Sequence, residues 1–191
     1  RQGVSSVAFN RSGSQLLTTG QDGTAKIWET TGWRLLLTIE GKESGAAGEQ
    51  ALFGPTDSTV LTLGSSPSVK VWDAATGTEI SKLLGHQAKV GHVAFDDSGS
   101  WLATASDDGV VKIWDTKAWQ PRHTLNAHRG QVLALASGDG YLLTAGEDHN
   151  AKIWQIKTGA AVVALEEHQG AVTAARFAEE QQGAAFFRIG H

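Results

Sequence analysis

Short apolar runs alternate with small and polar residues along this chain, and Gly, Ser, Asp or Asn interrupts them every few positions. That pattern belongs to strands joined by tight turns, because a helix needs an apolar period of about 3.6 residues held over several turns. Between residues 90 and 125 it predicts a strand over 90–95, a turn at Asp96-Asp97-Ser98-Gly99 and a strand over 101–106. A second turn at Asp107-Asp108-Gly109, a strand over 110–114 and a fourth opening at His123–Leu125 complete the unit. The same order is read over 4–9, 15–20, 24–28 and 35–39, with turns at Arg11-Ser12-Gly13 and Asp22-Gly23. Asn10-Arg11-Ser12 also has the form of a glycosylation triplet, but it falls in the first of these turns and is read as a turn.

The pattern repeats. Lys26-Ile27-Trp28, Lys70-Val71-Trp72, Lys112-Ile113-Trp114 and Lys152-Ile153-Trp154 follow one another at a period of about forty residues. Ten residues before each tryptophan stands a threonine, Thr18, Thr62, Thr104 or Thr144, and six before it stand Asp22, Ser66, Asp108 and Asp148. His86, His128 and His168 each precede a valine by four residues. In the first copy that histidine would fall just before Arg1, and in the second Ser44 takes its place.

A four-stranded unit of this size cannot bury both faces alone, so its sheets must stack on one another around an axis, as the blades of a β-propeller do. The expected fold is therefore all-β, with four-stranded antiparallel blades over about 1–40, 41–83, 84–125 and 126–166 and a partial fifth over 167–191. Val7-Ala8-Phe9, Val93-Ala94-Phe95 and Leu135-Ala136 are expected on the innermost strands, where space is short. The chain has no methionine and opens just after an expected histidine, so it reads as one domain cut from a longer array.

Composition narrows the function classes. Acidic residues outnumber basic ones, the net charge is −4, and lysine and arginine are scattered, so no basic face asks for nucleic acid. No apolar run spans a bilayer and no leader is visible. The lack of cysteine is compatible with a reducing compartment, and a cytoplasmic location is expected.

Gly85-His86, Trp72-Asp73 and Trp114-Asp115, set in this register, resemble the WD-repeat family of β-propellers over residues 1 to about 177. Trp28-Glu29, Trp154-Gln155, Ala127-His128 and Glu167-His168 depart from its dipeptides, and Ser44, Ser66 and Pro67 make the second copy the most divergent. That copy is expected to be held mainly by apolar packing. The resemblance implies a ring that usually closes with seven blades and a hydrogen-bonded chain inside each blade. The implied sets are His86, Thr104, Asp108 and Trp114; His128, Thr144, Asp148 and Trp154; and, lacking its histidine, Thr18, Asp22 and Trp28. In the third copy either Thr104 or Ser106 supplies the hydroxyl.

A histidine, an aspartate and a hydroxyl are also the parts of a nucleophilic hydrolase. An active site is needed once, whereas this set recurs beside a core tryptophan, and no nucleophile elbow, phosphate loop or His-Glu-x-x-His motif occurs. The set is read as structural, the chain as non-catalytic and without cofactor. His92, His123 and His149 share no ligand spacing, so no metal is expected.

Function is then expected on loops and rims, in a protein-interaction scaffold that is one module of a larger regulatory or signalling protein. A propeller enzyme with a loop-borne active site is the alternative. By the family resemblance, the loop entering each blade and the turn with the aspartate share one face, which would show Gln87, Lys89, Asp107, Arg129, Gln131, His149, Asn150 and Gln169. Of these Lys89, Arg129, Gln131, His149 and Asn150 are the candidate contacts for a protein or peptide. Trp33 and Trp119, in turns, are read as covering a neighbouring strand, and Trp101 as packing. Unpaired edges at both ends are expected to make the isolated chain self-associate.

Overall fold

In the computed structural model, which describes residues 3–40, 50–166, 168–177 and 187–190, the turn residues do what their chemistry allows and the strands between them pair antiparallel. Two compact units, Arg1–Gly85 and His86–His191, carry the sheets. In the first unit β1 (Val4–Phe9), β2 (Gln15–Gly20), β3 (Thr24–Glu29) and β4 (Leu35–Glu40) form one sheet. A second contains β5 (Gln50–Phe53), β6 (Thr59–Leu63), β7 (Val69–Asp73) and β8 (Glu79–Leu83).

In the second unit β9 (Val90–Phe95), β10 (Trp101–Ser106), β11 (Val110–Asp115) and β12 (Gln120–Asn126) make the third sheet. The fourth is built from β13 (Val132–Gly138), β14 (Tyr141–Gly146), β15 (Ala151–Gln155) and β16 (Ala160–Leu165). β17 (Ala174–Phe177) pairs with β18 (Phe187–Gly190). The protein is thus all-β, and its four-stranded antiparallel sheets, each in sequence order, are of the kind that form propeller blades. Strand β12 opens at Gln120, earlier than the pattern indicated. Ser44 and Glu167 lie outside the described residues.

One irregularity recurs in all four sheets. The register between third and fourth strands shifts at Ile27/Trp28, Val71/Trp72, Ile113/Trp114 and Ile153/Trp154. A bulge of this sort adds local twist and re-aims the side chains beside it. The five-residue step that follows crosses a tight turn into the fourth strand.

Stacking obeys one rule in both units. The face of the second sheet that bears Trp72, with Ala51, Phe53 and Val60, packs on Leu17, Ala25, Ile27 and Ile39 of the first. In the second unit Trp154, Val132 and Leu142 pack on Ala103, Val111, Ile113 and Leu125 of the third sheet, and Trp101 lies in that cluster. Ile27 and Ile113 are fully buried, and burying such a side chain stabilises the fold by about 1.5–3 kcal/mol. Polar threads tie the sheets as well, since Ser6 Oγ accepts from Ala51 N at 3.1 Å and Ser137 Oγ donates to the Phe95 carbonyl.

In the first sheet Val7 and Phe9 are 65% and 62% exposed. They alternate onto the face that bears Leu16 and Trp28, because Val7 pairs with Thr18 and Phe9 with Leu16. The second sheet packs on the opposite face, through Leu17 and Ile27, and so leaves Val7 and Phe9 uncovered within the unit. Among the described residues no helix is long and apolar enough to cross a membrane.

Candidate functional site

Each third strand delivers its tryptophan opposite the second strand, and the indole N–H meets a hydroxyl there. Trp28, Trp72, Trp114 and Trp154 donate through Nε1 to Oγ1 of Thr18, Thr62, Thr104 and Thr144 at 2.9, 2.9, 2.9 and 3.0 Å. An indole only donates, so the threonine oxygen must accept and its own proton is left for another acceptor. In the third and fourth sheets that acceptor is a histidine. Thr104 Oγ1 lies 2.8 Å from His86 Nε2, and Thr144 Oγ1 lies 2.9 Å from His128 Nε2. Accepting the hydroxyl proton leaves Nε2 bare and places the ring proton on Nδ1.

From Nδ1 onward the two sheets differ. His128 Nδ1 donates to Asp148 Oδ1 at 2.8 Å. His86 Nδ1 stands 3.7 Å from Asp108 Oδ2, and among the described residues this buried nitrogen has no hydrogen-bond partner. The position that differs is two residues after the threonine, Gly146 in the fourth sheet and Ser106 in the third. A Cβ on Gly146 would overlap the ring of His128, so the imidazole occupies space that Ser106 fills in the third sheet. Ser106 has a different use, donating to the Ala88 carbonyl at 3.0 Å and accepting from Asp108 N at 3.3 Å. The indole's partner in the third sheet is therefore Thr104.

Burial lowers the basicity of both rings, more than the neighbouring carboxylates raise it. Burial also pushes the Asp108 and Asp148 carboxyls up, but backbone donors and the histidine outweigh it and hold both below the usual range. At neutral pH each pair is a neutral imidazole beside a carboxylate.

The first two sheets keep only part of this chain. Asp22 Oδ1 accepts from Thr24 N and Oγ1 at 3.0 and 2.8 Å, and Lys26 Nζ lies 3.6 Å from its other oxygen. In the second sheet Ser66 and Ser68 share a hydrogen bond at 2.9 Å. The fully buried Val60, Leu61, Val69 and Val71 supply its core.

Asp148 also shapes the surface. Its Oδ2 accepts from Arg129 N at 3.0 Å and its Oδ1 from Asn150 N at 3.3 Å. The two backbone bonds hold the Arg129 and Asn150 loops at one rim of a cavity of about 690 Å³, with Asn126, Lys152 and Glu166 around the rest. Lys89, Gln131 and His149 do not line it. Lys89 is half-buried and gives its carbonyl to Asp107 N at 2.9 Å, while Gln131 N donates to Glu147 Oε2 at 3.3 Å. His149 is exposed at φ 67°, in the turn position held by Gly23 and Gly109 in the first and third sheets. Sequence spacing alone missed Asn126, Lys152 and Glu166, since they come from the end of β12, from within β15 and from just after β16, which no turn signal brings together. Among the described residues, no three His, Asp or Glu side chains come together to hold a metal.

A family profile described as WD domain, G-beta repeat matches residues 1–29, 77–115 and 119–155. The break between the first two matches contains Ser66 and Pro67, the divergent second turn. Among similar proteins is the Target of rapamycin complex subunit wat1 of Schizosaccharomyces pombe, 32% identical over 105 residues, covering 54% of this chain and 32% of that protein. COMPASS component SWD3 of Saccharomyces cerevisiae is 31% identical over 121 residues, covering 59% and 38%. Nuclear distribution protein PAC1 of Arthroderma otae is 34% identical over 142 residues, covering 69% and 31%. The matches thus span well under half the length of these relatives.

Proposed function

The chain belongs to the WD-domain, G-beta repeat family, and on that premise we propose that it is a non-catalytic scaffold that presents loops to protein partners within a larger regulatory assembly. The observation that carries this reading is that Thr104 and Thr144 are 0% exposed. A nucleophile must reach its substrate, and these hydroxyls are sealed beneath an indole and an imidazole, so this repeated triad-like set serves as a fastening. Two of the similar proteins are named as a Target of rapamycin complex subunit and a COMPASS component, which supports protein partners.

In this reading His86, Asp108, His128, Asp148, Trp114, Trp154 and the Thr18, Asp22, Trp28 group fix the blades. Lys89, Arg129, Gln131, His149 and Asn150 meet the partner. The blades form part of a seven-membered ring in a cytoplasmic protein, and the 191-residue chain by itself self-associates through the uncovered face of Val7 and Phe9. Sedimentation of the isolated chain checks the last point, and a cooperatively melting monomer would contradict it. The scaffold itself is tested by quantitative affinity capture with the intact protein, wild type against Lys89→Glu and Arg129→Glu together. Loss of a defined set of partners is expected, and an unchanged set overturns the assignment of this face.

A further inference from the structure

We propose that the cavity bounded by Arg129, Asn126, Asn150 and Lys152 takes an acidic side chain of an extended peptide segment, with the Arg129 guanidinium paired to its carboxylate. The inference rests on the scaffold reading and names the chemistry of the partner at one place.

Size comes first: at about 690 Å³ the cavity falls in the range that holds a small ligand or a few peptide residues. Its polar groups divide into those already used and those still free. Asp148 is spent on His128 Nδ1 and on the backbone of Arg129 and Asn150. Lys152 Nζ donates to the Ala127 carbonyl at 2.7 Å and lies 6.0 Å from the Trp154 ring centre, so it is held in place as a fixed positive charge.

By contrast, the side chains of Arg129, Asn126, Asn150 and Glu166 make no hydrogen bond or ion pair among the described residues, and Arg129, Asn126 and Glu166 are exposed. A guanidinium offers a planar fork that matches a carboxylate, and a carboxamide offers one donor edge and one acceptor, the complement of a peptide main chain. Glu166 sets the limit on charge. Its carboxylate repels a phosphate dianion or a polynucleotide more than a single carboxylate, and it can accept from a main-chain N–H or a basic neighbour on the same segment.

The comparable cavity in the first unit shows what a closed version looks like. There, about 430 Å³ is lined by Glu40, Lys70, Trp72 and Glu79, and Lys70 is paired with Glu79 at 3.7 Å while lying 5.6 Å over Trp72. The cation is already neutralised by its own sheet. In the fourth sheet the Glu79 position, two residues beyond the turn glycine, carries Ala161, and the cationic side remains for a partner.

The test is selection of random peptides displayed on phage against the intact protein, followed by fluorescence polarisation with the enriched peptide. Enrichment of Asp or Glu at one position is expected. Arg129→Gln should weaken that peptide at least about tenfold, the loss expected for a charge-assisted pair. Arg129→Glu should abolish binding, Lys157→Glu, at an exposed lysine that does not line the cavity, should leave it within about twofold of wild type, and replacing the acidic residue by phosphoserine should not tighten it. Selection that yields no acidic consensus, or peptides that bind wild type and Arg129→Glu equally, overturns the proposal. If affinity capture still shows partners lost with the double charge reversal while no acidic peptide is selected, the scaffold reading stands and the cavity assignment alone falls.

Discussion

His128 and Asp148 are joined by a 2.8 Å hydrogen bond that closes an unbroken line of donors from the Trp154 indole to a carboxylate. The equivalent pair in the third sheet, His86 and Asp108, stands 3.7 Å apart. Two copies of one motif therefore differ in a single link, and that difference can be weighed. A double-mutant cycle of His128→Ala and Asp148→Ala, followed by urea unfolding, is expected to give a coupling of about 1.5–3 kcal/mol, as for a bond to a charged group. The cycle at His86 and Asp108 should give clearly less, and equal couplings would contradict the geometry.

The difference traces to the residue beneath the ring. Gly146→Ser introduces a Cβ into the space of the His128 imidazole and is expected to break the bond to Asp148, destabilising the fold by about 1–3 kcal/mol. Ser106→Gly opens the same space under His86. Its ring should then approach Asp108, which NMR titration would show as a more basic His86.

Acid sensitivity follows from the same rings. Burial makes His86 and His128 less basic in the folded chain than in the unfolded one, where the ordinary value is 6.5. The unfolded state thus binds protons first, so the stability they contribute is complete above about pH 6.5 and declines as the pH falls until the folded rings protonate. Asp108 and Asp148, with folded values held below 3.8, add a second loss at lower pH. Urea midpoints measured between pH 8 and pH 5 should fall with acidity, and the His128→Gln variant should show a shallower fall.

Backbone strain separates the turns. Trp33 and Trp119, five residues after their blade tryptophans, have φ 53° and 54°, where Gly77 and Gly159 hold φ 71° and 69° in the other two sheets. A left-handed backbone costs a side-chain-bearing residue about 1–2 kcal/mol. Trp33 is 62% exposed, so Trp33→Gly should stabilise the fold by up to about 1 kcal/mol. Gly159→Ala should destabilise it, because its Cβ would also fall 2.8 Å from His123 Nδ1. Thermal melts of the two variants, shifted in opposite directions, are the check.

How much of this was legible in the residues depends on distance along the chain. Turn residues and alternating apolar positions placed the strands, because those signals are local, and the ten-residue step from threonine to tryptophan spans one hairpin whose register is fixed. The exposure of Val7 and Phe9 was not legible, since it depends on which face of the first sheet another sheet covers. Nor was the loose His86–Asp108 link, which turns on one side chain beneath a ring. The cavity gathers Asn126 and Glu166 from the ends of two different sheets, and no spacing along the chain foretells that meeting.

Thr144→Val in the intact protein puts the central claim to its most direct test, with stability by urea unfolding and partner capture at a temperature where the variant is folded. If the polar chain is a fastening, the buried indole and imidazole left without the hydroxyl should cost about 1–3 kcal/mol each, while partners are captured as by wild type. Unchanged stability together with lost capture would mean that the hydroxyl acts on a partner or substrate, and would contradict the account.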